Sequence, residues 1–117
     1  MNFARFFIFY HFPELNSAQT ITKIEHNYHA YNQREFDGDL TNFHFRNLRK
    51  GAHNKQRKPT LYRFGNLLAV RAKAIINGSD CFPEPSSGVE IDRVYAVDID
   101  GYDDILYGEY LINNKLI

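Results

Sequence analysis

The chain has 117 residues, of which 44% are hydrophobic and 24% are charged, and its 14 basic groups are balanced by 14 acidic ones. These values are typical of a globular domain and argue against a disordered chain. The single cysteine excludes an internal disulfide, and no apolar run approaches the ~20 residues that a membrane-spanning helix requires. We therefore expect one cytoplasmic domain over residues 1–117 that makes no contact with a membrane.

The first 39 residues predict a strand followed by a helix. Residues 3–12 carry aromatic side chains on both alternating faces, which is typical of a strand, and Pro13 ends it. Ser17 can then cap a helix. Four apolar residues follow at spacings of three, four and three, and this pattern predicts an amphipathic helix over about 17–35. They are Ile21, Ile24, Tyr28 and Tyr31.

The remaining elements are predicted to be strands. Residues 41–48 alternate phenylalanine with polar residues, as a strand with one polar face does. Residues 61–64 and 67–76 resemble a hairpin, although the second arm has a composition that also favours a helix. Residues 89–99 and 105–112 form a second predicted hairpin around an Asp-Gly turn. The sequence therefore predicts an α+β domain with a mostly antiparallel sheet and one helix packed on one face.

The charges are segregated along the chain. Residues 40–79 contain nine basic residues and no acidic residue, whereas residues 80–109 contain nine acidic residues and one basic residue. This segregation is more informative than the net charge of zero, because it indicates two surfaces of opposite sign.

The basic loop, defined here as residues 46–63, is the first candidate site. Lysine and arginine clusters contact nucleic-acid phosphates, and neighbouring aromatic rings stack on bases. We therefore predict a binding module without catalytic activity, whose partner is nucleic acid or a nucleoprotein complex. The predicted binding residues are Arg46, Arg49, Lys50, Lys55, Arg57, Lys58, Arg63, Arg71, Lys73, Phe45 and Tyr62, with Phe43 and Phe64 also flanking the loop.

An acidic patch formed by Asp98, Asp100, Asp103 and Asp104 is the second candidate. Its Asp-x-Asp-Gly resembles part of a calcium loop but lacks the spaced acidic positions and the terminal glutamate, so no metal is predicted. Two patches of opposite sign favour an alternative function as a protein-interaction module, such as an inhibitor, an immunity protein or an assembly protein. The same two patches would allow self-association.

A small metal-independent ribonuclease is the second alternative. Such an enzyme needs a base, an acid and a cation around one phosphate, and the basic segment supplies these residue types. No spacing requires this role, and no glycine-rich nucleotide motif is present, so no cofactor is predicted. The residues concerned are His44, His53, Tyr62, Arg46 and Arg49.

Overall fold

The computed structural model describes residues 11–52, 57–78 and 80–117. They form a small α+β fold, which confirms the predicted class. The chain falls into two compact units. The sheet unit comprises residues 1–22 and 63–117, and the hairpin unit comprises residues 23–62. That the whole chain folds as one domain stays a prediction.

Five strands, three α-helices and three short 3₁₀ turns lie wholly within the described residues. The strands are β1 (Ser17–Lys23), β2 (Arg34–Phe36), β3 (Thr41–Phe43), β4 (Tyr62–Val70) and β5 (Ser86–Glu90). The helices are α1 (Arg46–Lys50), α2 (Ala72–Ile76) and α3 (Tyr102–Asn113). The 3₁₀ turns are His26–Tyr28, Ala30–Asn32 and Arg93–Tyr95. None of the helices in these ranges is long and apolar enough to span a membrane.

The three-stranded sheet has the order β4-β1-β5 and is mixed. β1 and β5 are parallel, with Ser17 opposite Ser86. The Arg71 amide, just after β4, donates to the Asn16 carbonyl, just before β1, at 3.0 Å. Thr20, later in the chain, contacts Asn66, which is earlier than Arg71. β4 therefore runs antiparallel to β1. β1 is therefore the central strand and has hydrogen-bonding partners along both edges.

Residues 65–66, which the predicted hairpin places between its arms, instead continue β4 and contact a buried threonine. Thr20 is fully buried, and its Oγ1 accepts the backbone N–H groups of Asn66 and Leu67 at 3.0 and 2.9 Å. A Cβ atom on Gly65 would lie only 2.5 Å from that hydroxyl oxygen. The glycine thus permits a close approach between β1 and β4, and β4 continues through it as one strand.

The prediction of a helix over about residues 17–35 is wrong. Residues 17–23 form β1, two 3₁₀ turns follow, and residues 34–36 form β2. Ala18, Thr20 and Thr22 are the residues that β1 buries on one face, at 0–2% exposure. Small and polar side chains occupy this alternating buried face, so hydrophobic periodicity did not detect it, and the β-branched threonines favour a strand.

Four predicted strands also differ from the structure. The hairpin of residues 89–99 and 105–112 is wrong, because β5 ends at Glu90 and residues 102–113 form α3. Residues 41–48 contain the short β3 followed by the start of α1. Residues 67–76 divide into the end of β4 and the helix α2, so each of the two alternatives describes one half. The strand predicted over residues 3–12 lies almost entirely outside the described residues.

The hairpin unit is built around the antiparallel pair β2 and β3, in which Arg34 lies opposite Phe43. Residues 37–40 connect the strands, with Gly38 at a φ of 106° that favours glycine. The Asp37 carboxylate accepts the amides of Leu40 and Asp39 at 2.9 and 3.0 Å, and these bonds lower the pKa of Asp37. The carboxylate thereby fixes the turn that aligns the two strands.

Candidate nucleic-acid interface

Helix α1 carries three of the predicted binding cations. Arg46 and Lys50 are four residues apart, a spacing that places side chains on one face of a helix, and both are exposed. The Arg46 guanidinium donates to the Asn42 side-chain oxygen at 2.6 Å, which fixes its direction. The basic loop is therefore not entirely a loop, since its first five residues form a helix that presents two cations to solvent.

Arg49 has a structural role in the same helix. Its Nη1 donates to the Asn32 side chain at 2.6 Å and to the Tyr31 carbonyl at 3.3 Å. Its Cζ atom also lies 3.9 Å from the centre of the Phe43 ring. Arg49 is half-buried, and these contacts hold α1 against the 3₁₀ turn at residues 30–32.

The Phe43 ring is occupied by protein contacts. Arg34 lies over it at 4.5 Å, in addition to Arg49 at 3.9 Å, so two guanidinium groups contact one ring. Such cation–π contacts consume the aromatic face that a base would need. Phe64 likewise packs against Phe82, with ring centres 5.2 Å apart. Neither of these two rings is a stacking surface for a nucleic-acid base.

Other aromatic side chains in the hairpin unit are exposed. Phe45 and Tyr62, the two predicted contacts, are 38% and 40% exposed. Phe45 also contacts the His44 ring edge-to-face at 4.5 Å, but unlike the half-buried Phe64 it remains exposed. Tyr28 and Phe36 are each 69% exposed, and the sequence did not identify them. Tyr28 was assigned to the buried stripe of the predicted helix, so the error in secondary structure concealed it. These four rings are the accessible stacking surfaces that the structure adds to the cations of this unit.

Lys58 lies in the electrostatic field of Arg49. Partial desolvation lowers the pKa of Lys58, and the positive charge of Arg49 lowers it further. The fold therefore brings two predicted cations near each other although nine positions separate them in the sequence. Arg57 is exposed, and Lys55 lies outside the described residues.

The remaining predicted cations belong to the sheet unit. Arg71 donates from Nε to the Leu15 carbonyl at 2.6 Å and from Nη2 to the Phe12 carbonyl at 3.0 Å, so it stabilises the chain before β1. Arg63 donates to the Phe64 carbonyl at 3.2 Å. Lys73 is exposed on α2. The structure thus does not assign these three residues to the same unit as α1.

The units carry opposite charge. The hairpin unit has eight basic and four acidic residues, a net charge of +4, and the sheet unit has six basic and ten acidic residues, a net charge of −4. Within the described part of the hairpin unit, no carboxylate forms an ion pair with Arg46, Arg49, Lys50 or Lys58. Glu35 instead contacts His44 Nδ1 at 2.5 Å. Carboxylates of the same unit therefore do not neutralise these four cations through ion pairs.

The predicted acidic patch begins helix α3. The Asp104 carboxylate accepts the backbone N–H groups of Gly101 and Asp100 at 2.9 and 3.0 Å, and so caps the first turn. Asp103 also lies in that turn, where a negative charge is favourable near the helix N-terminus. Asp98 and Asp100 are exposed just before it. Asp103 and Asp104 therefore stabilise the N-terminus of α3, which is a structural role independent of any partner.

The ribonuclease residues are only partly described. His53 lies outside the described ranges, and His44 and Arg49 make the contacts with Glu35, Asn32 and Tyr31 given above. Among the residues that the structure describes, no three His, Cys, Asp or Glu side chains are grouped as metal ligands. The sequence matches no model of a known protein family and no curated protein.

Proposed function

We propose that the chain is a non-catalytic binding module whose hairpin unit engages nucleic acid or a nucleoprotein complex. The observation that supports this most strongly is the net charge of +4 on a 40-residue unit whose α1 cations have no carboxylate partner among its described residues. Phosphates are the partners that such cations contact in nucleic acids. The exposed free thiol of Cys81 fits a reducing compartment, and we place the protein in the cytoplasm.

The proposed contacts divide into two groups. Arg46, Lys50 and Arg57 are exposed cations that would meet phosphates, while Arg49 positions α1 and would contribute only through its field. Phe45 and Tyr62 would stack on bases, which requires unpaired or unstacked nucleotides. The proposed ligand is therefore single-stranded nucleic acid or a nucleoprotein that exposes it.

The experiment is a binding titration of the full chain against random single-stranded and double-stranded DNA and RNA across a salt series. We expect tighter binding to single strands and a steep loss of affinity with salt. The same samples report cleavage, which would move the assignment to the ribonuclease alternative. Failure to bind any of these nucleic acids at low salt would overturn the proposal.

A protein-interaction module is the second candidate, and helix α3 favours it. Six of its twelve residues are large apolar side chains that the structure leaves exposed, and a concentration of exposed apolar side chains is typical of interaction sites. The acidic residues at its start would select a partner with a basic surface, including a second copy of this chain. The six are Tyr102, Ile105, Leu106, Tyr107, Tyr110 and Ile112.

Sedimentation of the free protein at low and high salt tests this second candidate. Self-association through opposite charges would give dimers or larger species that dissociate as salt increases. A monomer at all salt concentrations that also binds no basic protein would exclude it.

A further inference from the structure

A cleft of about 170 Å³ lies within the hairpin unit. Lys23, Lys58 and His26 contribute cationic or polar groups to its lining, while Pro59 and Leu61 contribute apolar ones. This volume holds several waters, which is space for a small anion with some hydration. No carboxylate lines the cleft among the described residues.

His29 gives the cleft a fixed wall. His29 is 5% exposed, its Nδ1 accepts the Tyr31 amide at 3.1 Å, and its Nε2 lies 2.8 Å from the Pro59 carbonyl oxygen. Since Nδ1 accepts and a carbonyl cannot donate, the proton must be on Nε2. The neutral ring therefore links the 3₁₀ turns to residues 59–61, and a site held in this way loses little freedom when a ligand binds.

Lys58 connects the cleft with the α1 cations. Its side chain lines the cleft and also lies in the field of Arg49, and both desolvation and that field lower the pKa of Lys58. The surroundings of Lys58 therefore stabilise its ammonium form less than water does, and an anion in the cleft would offset this loss. An anion would relieve the repulsion between Lys58 and Arg49 at the same time.

We propose that this cleft binds a terminal phosphate of a nucleic-acid strand, with Lys23 and Lys58 as its charge partners. A phosphate monoester carries nearly two negative charges at neutral pH, whereas an internal phosphodiester carries one, so the monoester is attracted more strongly to the cationic lining of the cleft. Tyr28 lies in the chain between the lining residues His26 and His29 and is 69% exposed, so its ring is available to stack on the terminal base. This inference rests on the proposed function, because it names the part of the nucleic acid that the unit selects.

The test compares single-stranded oligonucleotides of one sequence that carry a 5′-phosphate, a 3′-phosphate or only hydroxyl ends. The full chain should bind one phosphorylated form at least about fivefold more tightly than the hydroxyl form, as expected for added charge-assisted contacts. Lys58→Gln should reduce that preference to within about twofold. Lys50→Gln, a control outside the cleft, should weaken all three and preserve the preference.

Inorganic phosphate provides a readout independent of strand binding. In ¹H–¹⁵N spectra of the full chain, phosphate should shift the amides of Tyr28, His29 and Leu61, and Lys58→Gln should abolish these shifts. Equal affinity for all three oligonucleotides, or shifts unchanged by Lys58→Gln, would overturn the inference and leave the proposed function standing. Failure of all three to bind would overturn the proposed function and the inference that rests on it.

Discussion

Replacing Arg49 by alanine tests whether this cation stabilises the hairpin unit, in contrast to the exposed cations that we propose bind the ligand. The substitution removes the bond to the Asn32 side chain at 2.6 Å, the longer bond to the Tyr31 carbonyl and the stacking on Phe43 at 3.9 Å. A hydrogen bond from a charged group contributes about 1.5–3 kcal/mol and a cation–π contact about 0.5–2 kcal/mol. For a half-buried side chain we expect a total loss of about 2–4 kcal/mol in the stability of the hairpin unit.

Amide hydrogen exchange in the full chain measures this loss where it occurs. The amide of Arg49 itself, which donates to the Phe45 carbonyl, and that of His44, which donates to the Gln33 carbonyl, both report on the hairpin unit. Lys50→Ala is the matched control, because it removes an exposed cation from the same helix and should change protection by less than about 0.5 kcal/mol. Equal protection in Arg49→Ala and Lys50→Ala would refute the structural role of Arg49.

Three further substitutions test other parts of the account. Gly65→Ala should destabilise the protein by about 1–3 kcal/mol in urea unfolding, because the added Cβ would overlap the buried Thr20 hydroxyl. Gly51→Ala is the control, since a Cβ at Gly51 meets open space and should change the stability little. Equal stabilities of the two variants would contradict this prediction. Because the pKa of Asp37 is lowered, its carboxylate stabilises the fold fully above the usual aspartate range, and this stabilisation is lost as pH falls through the lowered value. Asp37→Ala should therefore be less stable than the wild type at neutral pH, and its stability should decrease less on acidification. An unchanged decrease in stability on acidification would contradict this prediction. Lys58→Gln should match or exceed wild-type stability at neutral pH, and a clear loss of stability would argue against this. The difference should begin to shrink as pH rises through the lowered pKa of Lys58 and should be gone above the ordinary lysine range.

The fold class was predictable because it depends on averages over many residues. The α+β composition and the charge segregation persist even where individual elements are misassigned. The position of the helix was not predictable, because the apolar spacing of residues 21–31 continues across a strand and two 3₁₀ turns. The buried face of β1 is made of Ala18, Thr20 and Thr22, which no hydrophobic pattern marks as core.

The candidate site was predictable in composition but not in the role of each residue. Nothing in the sequence distinguishes Arg49 from Lys50, yet the first is held by Asn32 and the second is exposed. Arg71 belongs to the sheet unit because of long-range contacts with residues 12–15, which its position in the sequence does not reveal. Likewise, the cleft requires Lys23 and Lys58 to meet across 35 positions, which is a consequence of tertiary structure.

The salt dependence of nucleic-acid binding tests the central claim most directly. A triple variant with glutamine at Arg46, Lys50 and Arg57 should bind single strands more weakly, and the slope of log affinity against log salt should fall by about 0.7 for each cation removed, or about 2 in total.

A second triple variant with glutamine at Lys73, Arg93 and Lys115 changes the net charge equally, but within the sheet unit. Its slope should match that of the wild-type chain. Equal slopes in all three proteins, or a larger fall in the second variant, would contradict the assignment of the interface to the hairpin unit.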